Sequence, residues 1–190
     1  MARLPLICLA VLLGGCASQP TVPVPAAHPS RPETAAFALN GRISIDQQGT
    51  HHSAGLRWTH QARSDEILLL APFGQTAARV YRDAEHATLD EADKHYQADD
   101  AETLMEKVLG WHLPLNGLHH WLLGMADTSS PAQIERMDTG QISVLRQAGW
   151  EVRYLRYDGN GPDSLPSRLQ LSHEDLRVQL LIDEWDWNPQ

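Results

Sequence analysis

The chain has 190 residues, 42% of them hydrophobic and 21% charged, and its 24 acidic against 15 basic side chains give a formal net charge of -9. That is one domain's worth of chain with enough apolar material for a core. Cys8 and Cys16 are its two cysteines, which excludes a disulfide scaffold and a cysteine-based zinc site for the body of the protein. The acidic balance argues against nucleic acid, whose phosphates need clustered Lys and Arg, and the longest apolar run is far short of the ~20 residues of a bilayer-spanning helix.

Residues 1–15 read as a secretory signal: Arg3 is a short basic start, Leu4 to Leu13 an apolar run, and Gly14-Gly15 a small-residue cleavage site. Cys16 follows directly, and Leu13-Gly14-Gly15-Cys16 resembles the lipobox of bacterial lipoproteins, in which the cysteine becomes the lipidated mature N-terminus. Cleavage there discards Cys8 and Arg3, so attraction to anionic lipid cannot be the anchor; several acyl chains can. Ala17, where an aspartate would signal retention at the inner membrane, points by the same resemblance to the outer membrane. Residues 16–35 carry Pro20, Pro23, Pro25, Pro29 and Pro32, a composition that suits an extended tether and neither helix nor central strand.

From Ala36 onward the dominant period is two. Phe37, Leu39, Ile43 and Ile45 alternate with polar or small residues, as do Ala54, Leu56 and Trp58; Ile67 to Leu70 is a short apolar strand. Later Trp150, Val152 and Tyr154, then Leu169 and Leu171, then Leu176, Val178, Leu180 and Ile182 repeat the alternation, each the pattern of a strand with one dry and one wet face. Two stretches have helical spacing instead. Asp99 and Glu102 resemble a capping box before Leu104, Val108 and Trp111, up to Gly110. Pro114 then breaks the chain, Asn116 can cap a second start, and Leu118, Trp121 and Leu122 form an apolar face ending at Gly124. Strands, a helix pair, then strands again favour a mainly β (α+β) fold, a strongly curved antiparallel sheet with helices on one side.

Ala71-Pro72-Phe73-Gly74 fits a type I turn with Phe73 at its corner. Such a residue either folds back onto the body or projects, and on a protein tethered to a bilayer a projecting Phe73 has lipid to enter. The ten histidines include no H-x-x-x-H spacing; His51-His52 on a strand point to opposite faces, and His119-His120 on a helix are not expected to face each other. No metal, cofactor, phosphate-binding loop or nucleophile elbow is nominated, so no enzymatic activity is expected. Six tryptophans against two phenylalanines can fill a core, or line an incompletely covered curved sheet whose dry interior suits acyl chains.

The lipobox at Cys16, Phe37 to Ile43, Leu56-Arg57-Trp58, Ala71 to Gly74, Tyr96 to Ala101, Gly110 to Leu115, Leu118 to Gly124, Gln147 to Trp150 and Leu165-Pro166 together resemble the LolB family of outer-membrane lipoproteins. The resemblance runs from Cys16 to about Trp185. It implies an unclosed antiparallel β-barrel over residues 36–190, with a lid of short helices above a hydrophobic cavity. It also implies a role: receiving acylated lipoproteins from the periplasmic carrier LolA and inserting them into the inner leaflet of the outer membrane, without cofactor, as a lipid-anchored monomer on the periplasmic face of a Gram-negative envelope. The implied partners are the carrier, the lipoproteins and outer-membrane phospholipid. The family's insertion loop maps onto Pro72, Phe73 and Gly74, with an aromatic where leucine is expected. The dry-face residues expected to line the cavity are Leu39, Ile43, Leu56, Trp58, Val152, Tyr154, Leu169, Leu171, Leu180 and Ile182. The alternative is a static envelope lipoprotein with a structural or protein-binding role.

Overall fold

The computed structural model describes residues 36–187 and 189, so the signal segment, Cys16 and the proline-rich tether lie outside the described residues. The first three strands, β1 (Phe37–Gln47), β2 (Thr50–Gln61) and β3 (Ser64–Leu70), form from the alternating segments, and a meander of β4 (Thr76–Arg82), β5 (Ala87–Glu91) and β6 (Lys94–Ala98) continues the sheet to one edge. Two helices follow, α1 (Ala101–Leu109) and α2 (Leu115–Leu122). The chain then starts again at the opposite edge and winds back through β7 (Ala132–Arg136), β8 (Ile142–Gln147), β9 (Trp150–Tyr157), β10 (Pro166–His173) and β11 (Leu176–Asp186). β11 pairs with β1 and closes the order β6-β5-β4-β3-β2-β1-β11-β10-β9-β8-β7, antiparallel throughout. The edge strands β6 and β7 do not pair with each other. The barrel is therefore unclosed, and the helices that link its two edges cover its mouth.

A bulge at Asp183 of β11, opposite the Asn40–Gly41 step of β1, bends the central strand pair, as bulges do by adding a residue on one side only. Glycine is required at that point, because a Cβ on Gly41 would sit 2.1 Å from the Leu181 carbonyl oxygen. The concave face carries one continuous core, from Phe37, Leu39 and Trp58 through Val152, Leu169 and Leu180, covered by Leu104 and Met105 of α1 and Leu118, Trp121 and Leu122 of α2.

The helix ends differ from the sequence expectation. Asp100, one residue after Asp99, is the N-cap of α1 and accepts from the Thr103 backbone N–H at 2.7 Å. α2 starts at Leu115 behind Pro114 with no side-chain cap. Asn116 sits inside its first turn, where its Oδ1 accepts from Arg82. Proline already fixes the entry φ and stops the preceding segment, which frees Asn116 for a tertiary bond.

Candidate functional site

The two ends of the half-barrel are built from different chemistry. At the end where β1 begins, Asp65 is 2% exposed at the start of β3 and gathers three donors. Trp58 Nε1 donates to its Oδ1 at 2.7 Å, His60 Nδ1 lies 2.7 Å from the same oxygen, and Arg82 Nε donates to Oδ2 at 2.7 Å. Burial raises the carboxyl pKa, but the His60 hydrogen bond, the Arg82 charge and the Trp58 bond outweigh it and hold Asp65 below its ordinary value. Arg82 also donates to Asn116, which ties α2 to the β2–β4 wall. His119 of α2 stacks on His60 with ring centroids 4.5 Å apart, and His120 lies 3.9 Å from His119. The neighbouring imidazoles thus meet, against the expectation from helical spacing. Burial, with His120 and His60 beside it, lowers the His119 pKa to about 4.

On the other side α2 is held by a second buried network. Trp121 Nε1 donates to Gln147 Oε1 at 2.9 Å, Tyr154 Oη donates to the Trp121 carbonyl at 2.8 Å, and Gln147 Nε2 donates to the carbonyls of Asp127 and Ser130. α2 is fixed to both walls by directional bonds.

The opposite end is apolar and open. A cavity of ≈ 390 Å³ lies between the concave face and the C-terminal part of α1, lined by Ile43, Ile45, Ala54, Leu69, Ala78, Val108, Leu109 and Trp111, with His52 and Glu91 at its rim. That volume falls in the ~300–1,000 Å³ range of ligand cavities. The hollow exists because Ala54 and Ala78 carry a single methyl in inward-facing positions that other strands fill with Leu or Trp.

Leu69, on the cavity wall, stands two residues before the loop that joins β3 to β4. The Gly74 N–H donates to the Ala71 carbonyl and the Ala71 N–H to the Gln75 carbonyl, both at 2.8 Å, making the tight turn expected at Pro72. Gly74 has φ +83°, which its lack of a Cβ permits. Phe73 projects from the turn, 89% exposed. Of the two positions open to it in the sequence, the structure has the projecting one.

All ten expected lining residues lie buried on the concave face. Ile43 borders the apolar cavity. Leu39, Leu56, Trp58, Val152, Tyr154, Leu169, Leu171, Leu180 and Ile182 are packed into the core instead, and Tyr154 and Trp58 use their polar atoms to hold α2 and Asp65. Ile45, Ala54, Leu69, Ala78, Val108, Leu109 and Trp111 line the cavity and are not among the ten. Ala54 and Val108 carried the right periodicity but were small or helical, and nothing local marks Ala78 as a wall. Cys16 lies outside the described residues. Among those residues no three His, Cys, Asp or Glu converge to hold a metal.

The fold and site define a class: a curled antiparallel half-barrel whose helical lid covers an apolar cavity. A solved LolA superfamily protein from Nitrosomonas europaea has this fold, with a TM-score of 0.50 over 84% of this chain and 89% of that one at 10% identity. The outer-membrane lipoprotein LolB of Chromobacterium violaceum is 35% identical over 184 residues, covering 96% of this chain and 98% of its own. That of Thiobacillus denitrificans is 35% identical over the whole of both chains. The family model for outer membrane lipoprotein LolB matches residues 35–185, and the chain belongs to that family.

Proposed function

We propose that this protein takes acylated lipoproteins from a soluble periplasmic carrier of the LolA type, shelters acyl chain in the cavity beside α1, and releases it into the inner leaflet of the outer membrane at the Phe73 loop. The observation that carries the reading is the adjacency of an apolar cavity and a fully projecting aromatic loop on one end of the molecule. A ~16-carbon chain left in water costs on the order of 10 kcal/mol at the per-methylene rate, so the cargo must pass from one apolar site to the next. Transfer between such sites is nearly isoenergetic, and a modest difference in affinity sets its direction. No catalytic step and no cofactor enter the scheme, and one copy of the chain suffices.

Residues 1–15 are then the signal and Cys16 the lipidated anchor. The chain enters β1 at the end away from Phe73, because Phe37 pairs with His60 beside the β2–β3 turn whereas residues 71–75 leave the far end of β3. Residues 17–36 span at most roughly 70 Å when extended, against roughly 37 Å for an eleven-residue strand. Anchor and loop can thus engage the same bilayer.

Mixing the mature Cys16→Ala protein with carrier loaded with lipoprotein tests the acceptor step. Transfer of the lipoprotein is expected; its complete retention on the carrier would leave the static envelope lipoprotein as the reading.

A further inference from the structure

The convex face carries a second hollow that the transfer scheme leaves unused. It has a volume of ≈ 410 Å³, and its wall includes Arg42, Gly55, Leu70, Pro72, Arg168 and Leu181. Strand register explains the grouping. Arg168 of β10 pairs with Leu181 of β11, Leu181 with Arg42 of β1, Arg42 with Gly55 of β2, and Gly55 with Leu70 of β3. These positions form a single row across five strands. Gly55 has no side chain, and Leu70 packs over it, where an added Cβ would stand 3.1 Å from the Leu70 Cβ. Leu70 and Leu181 are half-buried on a face otherwise wet, so the row has an apolar floor with a guanidinium in its middle and another at one end. Pro72, at the other end, belongs to the loop that carries Phe73.

Charge chooses the occupant. In a protein of net charge -9, the Arg168 guanidinium meets no carboxylate among the described residues; its one side-chain bond is to Gln179 Oε1 at 3.4 Å. Arg42 is paired with Asp183 at 3.0 Å, but both are exposed, and exposed pairs of this kind contribute little and exchange readily. Arginine presents a planar fork that matches phosphate oxygens in pairs. A phosphate over Arg168 and Arg42, with a hydrocarbon segment along Leu70, Leu181 and Pro72, describes an amphiphile with an anionic head.

We infer that this convex groove binds the phosphate headgroup and adjoining acyl segment of a bilayer phospholipid, seating the Phe73 loop at the membrane surface. The inference rests on the reading that the loop faces lipid. It assigns docking to Arg168 and leaves entry into the hydrocarbon to Phe73.

The probe is binding of the mature Cys16→Ala protein to vesicles of phosphatidylethanolamine and phosphatidylglycerol at 3:1, beside vesicles of a phosphate-free diacyl glycolipid. Binding to the phospholipid vesicles should exceed binding to the glycolipid vesicles, and Arg168→Gln, exposed and conservative in size, should lower it roughly fivefold. Circular dichroism and an unchanged melting temperature establish that the variant is folded. Equal binding by parent and variant, or equal binding to both vesicle types, would overturn the inference. So would full release by 10 mM inorganic phosphate, which would mark a site for the free anion. A variant that binds vesicles normally but no longer accepts lipoprotein from the carrier would likewise overturn it and make the groove a protein-docking surface. Phe73→Glu separates the two readings: intact deposition by that variant, with Arg168→Gln still weak on vesicles, would remove the insertion role from the loop and leave the groove standing.

Discussion

The two ends of this half-barrel contrast in the kind of force that holds them. Around Asp65, tryptophan, histidine and arginine donors converge on one buried carboxylate, and Arg82 carries the linkage on to α2. Around the cavity, Val108 and Leu109 of α1 and Trp111 just beyond it line the wall, with no comparable polar knot among the described residues; the Gln47 side chain donates to the Gly110 carbonyl at 2.9 Å. Charge-assisted hydrogen bonds fix geometry and fail abruptly when displaced. Apolar contacts are non-directional and exchange one apolar partner for another at little cost. One end is therefore suited to holding the lid in place, the other to letting an acyl chain replace protein contacts.

The contrast can be broken most forcefully at its polar end. Asp65→Ala leaves the Arg82 guanidinium and the Trp58 N–H without their acceptor in a buried site, and removing one partner of such a cluster costs about 3–5 kcal/mol. Urea unfolding followed by tryptophan fluorescence should show that loss; a change within ~0.5 kcal/mol would mean the knot is ornamental. At the open end, Phe73→Glu should leave the unfolding midpoint unchanged, since the side chain touches little in the folded state. Deposition of lipoprotein into liposomes should nevertheless fall at least tenfold, because a carboxylate resists entry into hydrocarbon, while acceptance from the carrier persists. Normal deposition would reduce the loop to a turn.

A subtler change fills the hollow. Ala78→Leu places three more carbons against Leu69 and Val108, and a fluorescent fatty acid should bind several-fold more weakly. Unchanged binding would show that the chain sits elsewhere. The smallest effect is a pH dependence confined to the polar end. His119 faces His60 and His120, with Asp65 close by, and its pKa is near 4 in the fold against 6.5 in the open chain. Between those values the unfolded state takes up a proton that the folded state refuses, so stability falls as pH drops from 6.5 towards 4. Asp65, whose pKa is lowered, adds its own loss below its ordinary value of 3.8. Melting temperatures of His119→Gln should be flatter than the parent's across the upper window; parallel curves would clear His119 of the effect.

Much of the architecture was legible in the order of residues. The alternation in β1, β2, β9, β10 and β11 marks a dry face, and the structure buries Leu39, Ile43, Leu56, Val152, Leu169 and Leu180 on it. Gly110 and Pro114 punctuate the helix pair where they should. β4 to β8 were harder to see. Val80 alone is buried in Thr76–Arg82, and every residue of Ala132–Arg136 is exposed at the sheet edge, so neither carries a strong period-two signal. Asp65 and Arg82 gave no signal and Asn116 read only as a helix cap, because their meeting depends on strand register and on where α2 docks.

By itself the sequence determined the turn that bears Phe73, the antiparallel class and the family. These follow from local covalent patterns and from the two-residue period of a half-wet strand. Only the tertiary structure decided that Phe73 projects, that the Asp65 end is locked, and that the hollow lies beside Ala54 and Ala78 while most of the larger dry-face residues are simply core. A list of side chains records what is present; a cavity is the place where opposed elements leave something out, and it exists only once their faces have been brought together.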